Sequence, residues 1–125
     1  MRDGKFVILT VDDDPDILDT IRVVLEANDY LVVAASTAEQ GLKLYQSERP
    51  DLVLVDLMME EVDSGTTLVT KINALGNTVP IYMLSAVGNE LHRSIDHEQL
   101  GLAGVFQKPI DPGTLLKALK HKLKK

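Results

Sequence analysis

A chain of 125 residues, 45% of them hydrophobic and 26% charged, can bury one real core and has the balance of an ordinary globular domain. Its net charge of −6 argues against a nucleic-acid footprint over the whole surface, and the lack of cysteine excludes disulfides, thiol catalysis and thiolate metal sites. No apolar run approaches the roughly 20 residues needed to cross a bilayer. Met1-Arg2-Asp3-Gly4-Lys5 leads straight into an apolar run without a signal-peptide pattern, so a cytoplasmic domain with no membrane contact and no direct nucleic-acid contact is expected.

Phe6 to Val11 reads as a buried strand that ends abruptly in Asp12-Asp13-Asp14. Asp14 can cap a following helix, with Pro15 at its first position and Ile17, Leu18, Ile21, Val24 and Leu25 on one apolar face. Asn28-Asp29 is turn chemistry, and Tyr30 to Ala35 is a second strand. Ser36 and Glu39 form a capping-box pattern, which opens a helix through Tyr45 or Ser47. Pro50 ends that connection. Leu52-Val53-Leu54-Val55 is then a wholly apolar strand finishing in Asp56.

A loop follows from Met58 to Gly65, and then a helix with Leu68, Val69, Ile72 and Leu75 inward, stopped by Gly76-Asn77. Val79 to Leu84 is a fourth strand ending in Ser85. Gly88 to Leu100 is weakly patterned and reads as a helix, with His92, Arg93, Asp96 and His97 on a solvated side. Gly104 to Gln107 is a short fifth strand, followed by Lys108-Pro109. Asp111-Pro112 starts a last helix, with Leu115, Leu116, Leu119 and Leu123 on one side and Lys117, Lys120, Lys122 and Lys124 on the other, where cations suit the C-terminal dipole.

Five strands alternating with five helices predict an α/β fold: one parallel sheet, doubly wound, with helices on both faces and right-handed crossovers. Ligands of such sheets bind outside the carboxyl ends of the strands. The residues there are Asp12, Asp13, Asp56, Ser85 and Lys108. Clustered carboxylates need counter-charge to stay ionised. Lys108 supplies one, and an oxygen-only donor set suits magnesium or manganese. Asp56 is then placed to attack a phosphoryl group and form an acyl phosphate. Lys108 would neutralise charge on the transferred group, and Ser85 could bond to it.

Val11-Asp12-Asp13-Asp14-Pro15, Leu54-Val55-Asp56-Leu57-Met58-Met59, Leu84-Ser85-Ala86 and Lys108-Pro109 resemble the signature blocks of response-regulator receiver domains of two-component signalling. All four blocks stand in the right order, and the resemblance covers essentially the whole chain. It implies a flavodoxin-like (βα)5 fold with strand order 2-1-3-4-5. It makes Asp56 the phosphoacceptor, Asp13 and Asp56 direct ligands of Mg2+ or Mn2+, Asp12 a ligand through water, and the Met58 backbone carbonyl a further ligand. Ser85 matches the switch hydroxyl, Ala86 a small residue giving the phosphoryl group room, and Lys108 the family's lysine, with a cis bond to Pro109. The implied partners are a histidine kinase or a histidine phosphotransfer protein as donor, a downstream protein, and a second copy in a phosphorylation-dependent homodimer. The chain is then one receiver domain over residues 1–125 with no output domain, a signalling switch rather than an enzyme.

Three positions depart from the pattern. Glu60 stands where the family has proline, and Asp63-Ser64-Gly65 replaces Asp-Gly before the third helix. Val105 occupies the place of the switch aromatic, and Phe106 should point to the other face by strand alternation. Other classes fit less well. A phosphatase of the haloacid-dehalogenase type needs a proton-moving acid two residues after the nucleophile, where Met58 stands. A flavodoxin-like flavin carrier needs a hydroxyl- and glycine-rich loop where Asp12-Asp13-Asp14 would repel phosphate. A receiver-like module that works without phosphorylation is the remaining alternative, resting on Val105.

Overall fold

The computed structural model describes residues 2–56, 64–86, 101–108 and 110–123. Five strands, β1 (Val7–Val11), β2 (Leu31–Ala35), β3 (Leu52–Asp56), β4 (Ile81–Ala86) and β5 (Gly104–Lys108), form one sheet in the order β2-β1-β3-β4-β5. All neighbours pair in parallel. Four helices are described, α1 (Pro15–Glu26), α2 (Ala38–Glu48), α3 (Ser64–Ala74) and α4 (Pro112–Leu123). The helix expected over Gly88 to Leu100 lies outside the described residues. The expected α/β architecture, with its parallel sheet, is the observed one.

Every residue of β1 and β3 is buried, which is why both read as unbroken apolar runs rather than alternating ones. Alternation divides their side chains between two cores. Leu9, Val11, Val53, Val55, Ile81 and Met83 meet Leu68, Val69 and Ile72 of α3 and the half-buried side of α2. Ile8, Leu52, Leu54, Tyr82, Leu84 and Phe106 meet Ile21 and Leu25 of α1 and Leu115 and Leu119 of α4. Thus α1 and α4 cover one face of the sheet, and α2 and α3 the other.

Three local readings are corrected. The cap of α2 is Thr37, whose side chain accepts from the Gln40 N–H at 3.1 Å, while the Gln40 side chain accepts from the Ser36 N–H. The reciprocal pattern is thus shifted by one residue from Ser36 and Glu39. Leu75 is 51% exposed, because α3 ends at Ala74 and carries Leu75 off the apolar stripe. Strand β4 begins at Ile81, not Val79, since Pro80 has no N–H to give the ladder. The alternation argument for β5 holds: Phe106 packs on Tyr82 with ring centroids 4.9 Å apart, and Val105 leans on the opposite core.

Candidate functional site

The order of the sheet reverses at β1, which has β2 on one side and β3 on the other. The crevice between the carboxyl ends of β1 and β3 is the place such a sheet offers a ligand. Register brings their ends level, since Val11 lies beside Val55. Asp12 therefore leaves β1 next to Asp56, the last residue of β3.

Asp12 is fully buried, Asp56 is 5% exposed, and Asp13 faces solvent. One carboxylate oxygen from each of the three lies within 4.8 Å of the others. The backbone fixes this arrangement from both ends. The Asp12 N–H continues the ladder by donating to the Ala35 carbonyl at 3.0 Å. Asp12 Oδ1 accepts from the Asp14 N–H at 2.9 Å, and Asp14 Oδ1 accepts from the Asp16 N–H at 2.9 Å, capping α1. The acidic loop is thus tied to a helix start whose dipole favours negative charge.

Lys108 enters from the far side of the sheet's upper rim. It ends β5, level with Ala86, and shares the parity of Phe106, so it points to the same sheet face as Asp56, which follows Leu52 and Leu54. Its ammonium lies 2.8 Å from Asp12 Oδ2 and donates to Asp56 Oδ1 at 3.2 Å. Asp12 Oδ2 is buried and accepts no hydrogen bond of good geometry, so this ion contact is its compensation. Burial by itself pulls the Lys108 pKa down. The close polar contact with Asp12 and its charge, and then the charge and hydrogen bond of Asp56, outweigh burial and leave it above the ordinary lysine value. Lys108 is therefore a fixed cation at neutral pH.

One ammonium does not offset three carboxylates. The donor set is oxygen only, one member is open to solvent, and a buried oxygen lacks a well-aligned donor. These are the properties of a seat for a small hard dication.

The structure brings together Asp12, Asp13, Asp56 and Lys108, as the sequence predicts. Ser85 is buried near the end of β4, and alternation sets it on the Met83 side of the strand. Met58, Glu60, Asp63, His92, His97 and Pro109 lie outside the described residues, and so do the carbonyl ligand and the cis bond expected there. Sequence reasoning missed Gly41. A Cβ on it would stand 2.9 Å from Val11 Cγ2, so its bareness lets α2 close on the end of β1 that carries the acids. The only sequence signal was a glycine inside a helical pattern, a residue that usually has a packing reason there. Among the described residues, no helix is long and apolar enough to cross a membrane.

Comparison with known proteins adds an independent line. The family model of the response regulator receiver domain matches residues 8–120. The transcriptional regulatory protein GlrR of Escherichia coli is 33% identical over 112 residues, covering 90% of this chain and 25% of GlrR. The alkaline phosphatase synthesis transcriptional regulatory protein PhoP of Bacillus subtilis is 33% identical over 105 residues, covering 84% of this chain and 43% of PhoP. The chain thus spans a quarter to under half of these curated relatives. Among solved structures, a CheY-like response regulator receiver domain protein from Methanospirillum hungatei superposes with a TM-score of 0.87 at 32% identity, over 97% of this chain and 95% of that one.

Proposed function

The chain belongs to the response regulator receiver domain family, and from that premise we propose that it is the phosphoacceptor of a histidine-to-aspartate phosphorelay, with Asp56 taking the phosphoryl group. The observation that carries this reading is the seating of Asp56. It is nearly buried at the end of a central strand, with the Lys108 ammonium on one oxygen and two further carboxylates within 4.8 Å.

An Asp56 oxygen attacks the phosphorus of a phosphohistidine on a histidine kinase or histidine phosphotransfer protein. The new O–P bond forms as the P–N bond breaks, and the imidazole nitrogen keeps the bonding pair. Lys108 holds its proton throughout and balances charge on the phosphoryl oxygens beside it. Asp12 keeps Lys108 in position from the far side, and its bond to the Asp14 N–H holds the loop. Ser85 supplies a hydroxyl that can bond the new phosphoryl group once the end of β4 moves toward it. Asp13 and Asp56 would hold Mg2+ or Mn2+ directly and Asp12 through water, with the Met58 carbonyl as a further ligand. Such an ion supplies charge neutralisation of phosphoryl oxygens.

A receiver-like module that signals without phosphorylation remains the second reading, supported by Val105 in place of the switch aromatic. A chemical test separates the two. Treatment with a small-molecule phosphodonor and magnesium, then hydroxylamine, should convert the peptide carrying Asp56 to a hydroxamate. Hydroxamate at another carboxylate, or none, would contradict the assignment.

A further inference from the structure

Helices α2 and α3 lie side by side on the sheet face away from α1 and α4, and two hollows open along the seam between them. The first, of about 270 Å³, has Ala38 and Leu42 of α2 on one wall and Leu68 and Lys71 of α3 on the other. The second, of about 320 Å³, has Tyr45 and Arg49 on the α2 side, with Leu75 and Val79 opposite. The walls repeat at one interval, since Ala38 to Tyr45, Leu42 to Arg49 and Leu68 to Leu75 are each seven residues. Both helices follow strands of one parallel sheet and run the same way, so the hollows stand about 10 Å apart along the seam. The floor of the second hollow is dry. The Tyr45 hydroxyl donates to Asn77 Oδ1 at 2.6 Å, and the same oxygen accepts from the Val79 N–H. Among the described residues, neither Arg49 nor Lys71 is in an ion pair, whereas both acids of α2 are, Glu39 with Lys43 and Glu48 with Arg2.

We propose that this seam docks an amphipathic helix of a partner protein, one with large apolar side chains seven residues apart and acidic residues beside them. Positions i and i+7 of a helix share one face and lie about 10 Å apart, which matches the spacing of the hollows. One apolar stripe therefore seats an anchor against Leu42 and Leu68 and the next against Tyr45, Leu75 and Val79. Carboxylates flanking that stripe meet Lys71 and Arg49, the seam's unpaired cations. Exposure and charge select this occupant over others. A second copy does not offer the two anchors from its described residues, whose large exposed apolar side chains are Val23 and Leu75, on different elements. A polyanion would meet the two cations and leave both apolar hollows unfilled. None of Asp12, Asp13, Asp56 and Lys108 lines the seam, so the docking does not rest on Asp56 as phosphoacceptor.

One helix in a shallow seam buries little area, so the complex should be weak, with a Kd of roughly micromolar or above. The probe is a helical peptide of about 15 residues, with two leucines seven positions apart and glutamates flanking them. Fluorescence anisotropy reads its binding to the whole chain, and amide chemical shifts should change at Leu42, Tyr45, Lys71 and Leu75. Reversing the cations (Arg49→Glu with Lys71→Glu) should weaken binding at least ~10-fold, and a peptide with lysine in place of glutamate should recover it. Leu75→Ala, or alanine for either peptide leucine, should weaken binding at least ~3-fold through lost apolar burial. The three substituted residues are exposed, and circular dichroism checks that the variants fold. Several results would overturn the proposal. They are no binding, equal binding by a peptide without leucines (a site for polyanions), or shifts confined to another face. Self-association of the chain that the reversed variant loses would also overturn it, by giving the seam to a second copy.

Discussion

The Lys108 ammonium stands 2.8 Å from an Asp12 oxygen that has no well-aligned hydrogen bond, and the same ammonium donates to Asp56 at 3.2 Å. One cation therefore bridges the ends of two neighbouring strands, β1 and β3. Lys108→Ala should remove the counter-charge that both carboxylates share and lower the unfolding free energy by about 2–3 kcal/mol. That is below the range for a fully buried pair, since Lys108 keeps about a fifth of its side chain in water. Urea unfolding of both proteins at neutral pH measures the difference.

The raised pKa of Lys108 also has a pH signature, with burial opposing and Asp12 and Asp56 overcoming it. A cation whose folded pKa exceeds its unfolded value stabilises fully below the unfolded value, about 10.4 for lysine. That stability is lost as pH rises through the higher folded value. The wild-type advantage over Lys108→Ala should thus be constant near neutrality and shrink above about pH 10.4. Urea unfolding across the alkaline range checks the sign.

Asp13 is the open member of a cluster with more negative charge than Lys108 offsets. Asp13→Asn should stabilise the metal-free protein, by on the order of 1 kcal/mol or less, by removing one repelling charge. The same change should reduce the rise in Tm that magnesium gives, because binding stabilises only as far as the ligands hold the ion. Melting curves with magnesium and with a chelator measure both effects.

Gly41→Ala tests the packing beneath the acids. Alanine favours a helix over glycine by about 1 kcal/mol. Here, though, the new methyl would meet Val11 Cγ2 at 2.9 Å and Leu68 Cδ2 at 3.3 Å, in a fully packed core. Overpacking costs about 1–3 kcal/mol. The variant should therefore be less stable than wild type, with weaker magnesium binding because Val11 precedes Asp12. Equal or greater stability would show that α2 can move away freely.

The cap of α2 gives a separate check. Thr37→Ala should cost about 1 kcal/mol through the lost bond to the Gln40 N–H, whereas Ser36→Ala should cost much less. Denaturant midpoints of the two variants distinguish them.

How much of this was legible in the sequence follows from the range of the interactions involved. Asp12, Asp13, Asp56 and Lys108 were readable because each ends a strand, and a parallel sheet collects strand ends at one rim. The opposite directions of Val105 and Phe106 followed from alternation alone. The order of the strands came from the family resemblance, because apolar runs fix burial but not neighbours. The pattern alone does not choose the cap of α2, because Ser36 and Glu39 fit it as well as Thr37 and Gln40 do. Which residue caps depends on where the backbone turns after β2. Leu75 fitted the periodicity of α3, but the helix ends one residue earlier. Gly41 and Gly104 were unreadable as contacts, since each is explained by a side chain distant in the chain: Val11 for the first, and the Tyr82 ring, 2.9 Å from a notional Cβ, for the second.

The most direct test of the central claim is intact mass after incubation with a small-molecule phosphodonor and magnesium, for wild type and Asp56→Asn side by side. The account predicts one phosphoryl group on wild type, none on Asp56→Asn, and none on either when magnesium is chelated. An adduct on Asp56→Asn equal to that on wild type, or no adduct on a wild-type chain that binds magnesium, would contradict it.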